Sequence, residues 1–188
     1  MSGCVSLSDS GAASLISRNA VTMNSLHMRA LINLTSSTFT AITQCKRLQD
    51  LNLSMCRTLD NDDLAKIVAS CERLQTLKLQ SCVQIDDDGA LAIAAYATQL
   101  KCLSLEFCYS VTDVGFLQIV AACHQLEDLN VKALNHLTAN AFEGLVAFKS
   151  AMAPLRRINI GACADFDTTQ RYASIIKGRY ARARIEWT

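Results

Sequence analysis

Apolar and polar positions along the chain change period and then change back, again and again. In Leu77-Lys78-Leu79 the apolar residues alternate, which is the period of a strand with one covered face. A little further on, Ala90, Ile93 and Ala94 recur at spacings of three and four, which is one face of a helix. The step between the two, Ile85-Asp86-Asp87-Asp88-Gly89, puts a carboxylate where it can cap the first turn of that helix. Val111-Thr112-Asp113-Val114-Gly115 repeats the step one unit later. Each unit therefore predicts a short strand, a turn and a helix.

Five such units align without gaps: Leu48–Leu59, Leu74–Ile85, Leu100–Val111, Leu126–Leu137 and Leu155–Phe166, with starts separated by 26, 26, 26 and 29 residues. A weaker copy runs from Met23 to Leu34, and a half-copy opens the chain, where Cys4, Leu7, Ser8-Asp9 and Gly11 match Cys108, Val111, Thr112-Asp113 and Gly115. The leucines of L-x-x-L-x-L all face one way, so a lone unit cannot cover them and stacked neighbours can. The expected organisation is one domain over 1–188: a half-repeat at 1–18, repeats at 19–44, 45–70, 71–96, 97–122 and 123–151, and a last repeat with a closing strand at 152–188. In that closing strand Ala183, Ile185 and Trp187 alternate.

This pattern resembles the cysteine-containing subclass of the leucine-rich repeat family, C-x-x-L-x-x-L-x-L-x-x-C-x-x-[IVL]-[TS]-D-x-G. Cys71, Leu74, Leu77, Leu79, Cys82, Ile85, Asp86 and Gly89 fill it, whereas Leu31 and Leu134 stand where other units have Cys. The resemblance implies an α/β solenoid, an arc of about six repeats with parallel strands on the concave face and helices on the convex face. It also implies a protein-binding role, since the family is best known from F-box substrate receptors of ubiquitin ligases. No F-box segment is visible. A second reading is an accessory subunit of a large assembly, such as a mitochondrial complex (resembling coupling factor B of ATP synthase) or an axonemal or cytoskeletal one.

Composition narrows the function classes. The 188 residues are 51% hydrophobic and carry 18 basic against 17 acidic groups, which gives a core but no global charge for nucleic acid or membrane binding. The longest wholly apolar run, Ala90–Ala97, is far short of the ~20 residues a membrane span needs. Nine cysteines invite a metal or disulfide reading, but their register disposes of it. Cys4, Cys56, Cys82, Cys108 and Cys163 share the slot after the strand, and Cys45, Cys71 and Cys123 the slot at the preceding helix end. A small buried thiol repeated at one place is packing, and C-x-x-C spacing is absent. Cys102 is the outlier, expected to face the concave surface without a base to activate it. Phosphate loops, zinc-helix motifs and nucleophile elbows are also missing, so no catalytic residue, metal or cofactor is expected.

The variable positions of the strands define the expected site. Reading down the central column gives His27, Asn52, Lys78, Ser104, Asn130 and Asn159; two residues on come Arg29, Ser54, Gln80, Glu106, Lys132 and Gly161. Met55 and Phe107 add apolar projections. The expected protein-binding residues are Asn52, Met55, Lys78, Gln80, Ser104, Glu106, Phe107, Asn130 and Lys132, with Phe107 the leading anchor or else a filler over the sheet edge. Partners are proteins met through this face, within a multi-subunit complex, and no membrane is expected. Nucleic acid is disfavoured, although Arg171, Lys177, Arg179, Arg182 and Arg184 cluster near Tyr172 and Tyr180.

The ends leave two matters open. The repeat starts in mid-unit, so either the chain is part of a longer protein or a partner covers its first unit. The first 49 residues contain one acidic residue, Asp9, a composition similar to a mitochondrial presequence. Leu7, Leu15, Leu26, Met28, Leu34, Phe39 and Ile42 nevertheless hold the repeat register, which favours a folded segment and a cytoplasmic or nuclear location, with mitochondria as the alternative.

Overall fold

The computed structural model describes residues 8–147, 154–163 and 166–187. Helices and strands alternate strictly: α1 (Asp9–Asn19), β1 (Ser25–His27), α2 (Ser36–Ile42), β2 (Asp50–Asn52), α3 (Asn61–Ser70), β3 (Thr76–Lys78) and α4 (Asp87–Tyr96). Then follow β4 (Cys102–Ser104), α5 (Asp113–Ala122), β5 (Asp128–Asn130), α6 (Ala139–Ala147), β6 (Arg157–Asn159), α7 (Phe166–Arg179) and β7 (Arg184–Glu186). The seven strands form one parallel sheet in sequence order. This is the α/β solenoid of parallel strands and helices that the resemblance implies. Of the opening half-copy, Cys4 and Leu7 lie outside the described residues.

Register is set by the leucines. Leu26, Leu51, Leu77, Leu103, Leu129, Ile158 and Ile185 sit opposite one another from strand to strand. The first six are buried, so a slip of one residue would turn this whole column out to water. Between strands and helices lies one continuous core that also takes in Phe39, Phe116 and Phe142.

The two cysteine columns are part of that core. Cys56, Cys82, Cys108 and Cys163 donate through Sγ to the carbonyls of Met28, Leu53, Leu79 and Val131 in the preceding repeat, at 3.3, 3.2, 3.1 and 2.8 Å. Cys71 and Cys123 point at Ile42 and Ala97 carbonyls over longer distances, 3.6 and 3.8 Å. Burial pushes the Cys56 thiol up to about 11 and those of Cys71, Cys108, Cys123 and Cys163 to about 12. The described cysteines are free thiols.

The Asp turns resolve into distinct jobs. Asp86 caps α4, accepting from the Asp88 amide at 2.9 Å. Asp87 reaches instead to the next repeat, where it accepts from Thr112 N at 2.8 Å, Thr112 Oγ1 at 2.6 Å and Gly115 N at 3.0 Å. Asp113 makes the same reach to Thr138, at 2.7 Å from its amide. At the start of the chain Ser8 caps α1, while Asp9 accepts from Thr35 N and Oγ1 at 2.8 and 2.7 Å and from Thr38 Oγ1 at 2.7 Å. Burial alone would raise the Asp9 carboxyl; the hydrogen bonds from Thr38 and Thr35 outweigh it and hold the group below its ordinary value. A glycine two residues after Asp113 is required by close approach, since a Cβ on Gly115 would stand 2.5 Å from Asp87 Oδ1 and 2.7 Å from Ala90 Cβ.

Each of the first six strands leads into a residue in the left-handed region: Ala30, Met55, Ser81, Phe107, Ala133 and Ala162, with φ between 54° and 65°. The turn is forced because the chain must leave the strand while still pairing with the next repeat. Met55 N, Ser81 N and Phe107 N donate to the carbonyls of Gln80, Glu106 and Lys132 at 2.7, 2.8 and 3.0 Å.

Candidate functional site

Strand side chains alternate, so the residues flanking each buried leucine stand on the opposite face of the sheet. Three columns result: the strand-opening residues Asp50, Thr76, Cys102, Asp128, Arg157 and Arg184; the central column His27, Asn52, Lys78, Ser104, Asn130, Asn159 and Glu186; and a third column of Arg29, Gln80, Glu106 and Lys132. Ser54 and Gly161, which the repeat register assigns to the third column, are buried and leave gaps in it.

An open cleft of about 250 Å³ lies on this face, lined by Lys78, Gln80, Cys102, Ser104, Glu106 and Asp128 and continuing over Asn130, Arg157, Asn159 and Glu186. Five expected residues are thus brought together: Lys78, Gln80, Ser104, Glu106 and Asn130. Lys132 lines a neighbouring cleft with Asn159, Arg184, Glu186 and Trp187. Asn52 lies on β2, outside both. Met55 and Phe107 occupy the left-handed turns, and the Phe107 ring meets Tyr109 at 6.0 Å between centroids rather than lining the cleft.

Some of these polar groups serve the fold itself. Asn52, Asn130 and Asn159 each accept through Oδ1 from the amide two residues on, those of Ser54, Lys132 and Gly161, at 3.0, 3.1 and 3.0 Å. An amide side chain at this place steadies the strand end just before the left-handed turn.

The strand-opening column is what sequence reasoning passed over, apart from Cys102. Its residues pair along the face: Asp50 hydrogen-bonds His27 at 2.7 Å, Asp128 forms an ion pair with Arg157, and Glu186 of the central column forms one with Arg184 at 3.0 Å. The signal for them was available, since the residue after L-x of L-x-x-L-x-L must point the same way as the x between the last two leucines. Cys102 sits half-buried among these groups. Burial raises its thiol, Asp128 adds to that, and Lys78 and Arg157 oppose it, so it is not an activated nucleophile.

The two tyrosines of the basic C-terminal cluster are turned into the core rather than offered for stacking. Tyr172 is buried, stacks on Phe142 at 5.3 Å and donates to Glu143 at 2.7 Å. Tyr180 is buried too and donates to the Leu145 carbonyl at 2.8 Å. Among the described residues no group of three or more His, Cys, Asp or Glu is placed to hold a metal ion, and no helix is long and apolar enough to cross a membrane.

Comparison with known proteins agrees with the architecture. A leucine-rich repeat family model matches residues 70–94. No curated protein matches the chain. A chain in the crystal structure of the Rad7 and Elc1 complex in yeast superimposes with a TM-score of 0.73 over 86% of this chain, at 16% identity. The match spans 42% of that yeast chain's length. With its unbroken parallel sheet, its repeat register and the family model on one of its central units, this chain has the leucine-rich repeat fold.

Proposed function

We infer that this protein is a protein-interaction module that holds its partner on the concave face. The cleft over β3, β4 and β5 carries this reading: it is polar and mixed in charge, and it is built from positions that the repeat leaves free to vary. Lys78, Gln80, Ser104, Glu106, Asn130 and Lys132 are the contact residues, with Asn52 at the N-terminal side of the face. Met55 and Phe107 form a rim at the strand ends, where an apolar ring next to a polar cleft supplies buried area. The module is a substrate-recognition or adaptor subunit of the F-box kind; the yeast neighbour, itself solved in a complex, supports membership in an assembly.

Purification of the tagged protein followed by mass spectrometry tests this. The partner should be lost with Ser104→Trp, which fills the cleft, and retained with Gln118→Arg on the exposed side of α5. Loss with neither variant would remove the concave face from consideration. Recovery of ubiquitin-ligase subunits supports the substrate-recognition role, and a stoichiometric organellar or cytoskeletal complex without them replaces it with the accessory-subunit role.

A further inference from the structure

The ion pairs of the concave face are not balanced. Every carboxylate in its three columns already has an intramolecular partner. Asp50 is held by His27 at 2.7 Å and by Ser25 Oγ at 3.2 Å, and Glu106 by Asn130 Nδ2 at 3.0 Å. Asp128 is held by Arg157, whose Nε lies 3.0 Å away, and Glu186 by Arg184 at 3.0 Å. Among the described residues the cations Arg29, Lys78 and Lys132 have no such carboxylate. Arg29 and Lys78 are exposed, and Lys132 is half-buried.

Their placement is regular. Arg29 follows β1, Lys78 closes β3 and Lys132 follows β5, so they stand on every second strand. Neighbouring strands are ~4.8 Å apart, which puts successive cations ~10 Å apart across the sheet; three residues of a chain extended as polyproline II span ~9 Å and bring the side chain back to the same face. We propose that the concave face binds an extended acidic segment of a partner protein, crossing the strands with a carboxylate at about every third residue, seated in turn on Arg29, Lys78 and Lys132. This rests on the concave-face reading and specifies the chemistry of its partner. The satisfied carboxylates Asp50 and Glu106, on the two intervening strands, set the spacing, because an uninterrupted run of negative charge would be forced against them. They also set this face apart from a groove for nucleic acid, which would offer a continuous basic track with aromatic platforms. None of the three columns contains a Phe, Tyr or Trp ring.

Titration with dye-labelled twelve-residue peptides tests the proposal on the whole protein. Glu-Ser-Gly repeats should bind at least tenfold more tightly than Gln-Ser-Gly repeats, and their affinity should fall as salt is raised. The double variant Lys78→Gln, Lys132→Gln should lose at least tenfold for the Glu peptide while its circular dichroism stays unchanged. Equal binding of the Glu and Gln peptides, no binding of either, or full binding by the double variant overturns the proposal. Tighter binding of a single-stranded RNA oligonucleotide, lost in the same double variant, overturns it in favour of nucleic acid. A natural partner that is lost with Ser104→Trp but retained by the double variant leaves the concave-face reading standing and ends the acidic one. A partner indifferent to Ser104→Trp ends the concave-face reading itself.

Discussion

The buried thiols show how one residue type, repeated at one place, turns a local preference into a property of the protein. Cys45 points its hydrogen at the Met23 sulfur and the others sit where a carbonyl of the preceding repeat accepts it, and each stays protonated because burial disfavours the thiolate. These folded-state values lie above those of the unfolded chain, at ~8.5. The stability they contribute is therefore complete below pH ~8.5 and is lost as pH rises toward the folded values. Between pH ~9 and ~11 the thiols of the unfolded chain ionise while those of Cys71, Cys108, Cys123 and Cys163 stay protonated in the folded protein, so the Tm measured against pH should fall there. A flat profile would contradict the packing of these columns. Native-state labelling gives a second check: Cys102 reacts first, and Cys56, Cys82 and Cys108 react only on unfolding. The left-handed turns carry the opposite lesson, a local cost that pairing outweighs. Replacing Ser81 by Gly removes a Cβ from that conformation and should stabilise the protein by about 0.5–1 kcal/mol, raising Tm by about 2–3 °C in thermal melts.

At the scale of elements, three consecutive aspartates do three different things. Asp86 caps its own helix, Asp87 ties that helix to the next repeat through three hydrogen bonds, and Asp88 is exposed. Truncating Asp87 to Ala strands two backbone amides, so it should cost about 2–3 kcal/mol in urea unfolding. The same change at Asp88 should cost well under 1 kcal/mol. Gly115→Ala pushes a methyl group into Asp87 and Ala90 and should cost about 2 kcal/mol or more. Equal effects of Asp87→Ala and Asp88→Ala would show that the inter-repeat tie contributes nothing.

The whole molecule is a stack in which each repeat touches chiefly its neighbours, so the concave surface is a set of columns rather than a pocket closed by distant segments. This is why neutralising Lys78 and Lys132 should change affinity without changing stability, and why Ser104→Trp tests the face directly. It also explains how much was legible beforehand. Leu77 and Leu79 around Lys78 announce a strand, and a period of about 26 residues aligns Lys78 with Ser104 and Asn130, so the central column could be read off the chain. The same period puts Ser54 and Gly161 in the exposed third column, and the structure buries both, because a small residue at that place is covered by its neighbours. Arg157 and Asp128 were overlooked as a pair because their neighbourhood exists only once β5 and β6 lie side by side, 29 residues apart.

The sequence by itself determined the repeat, the strand and helix of each unit, the parallel register and the protection of the cysteines, because all of these follow from where apolar groups must hide from water at a fixed period. Only the tertiary structure decided which polar groups face each other across neighbouring strands. It satisfied the concave carboxylates inside the protein and left Arg29, Lys78 and Lys132 without a carboxylate. Pairing of that kind depends on side-chain reach between repeats, and hydrophobic periodicity carries no record of it.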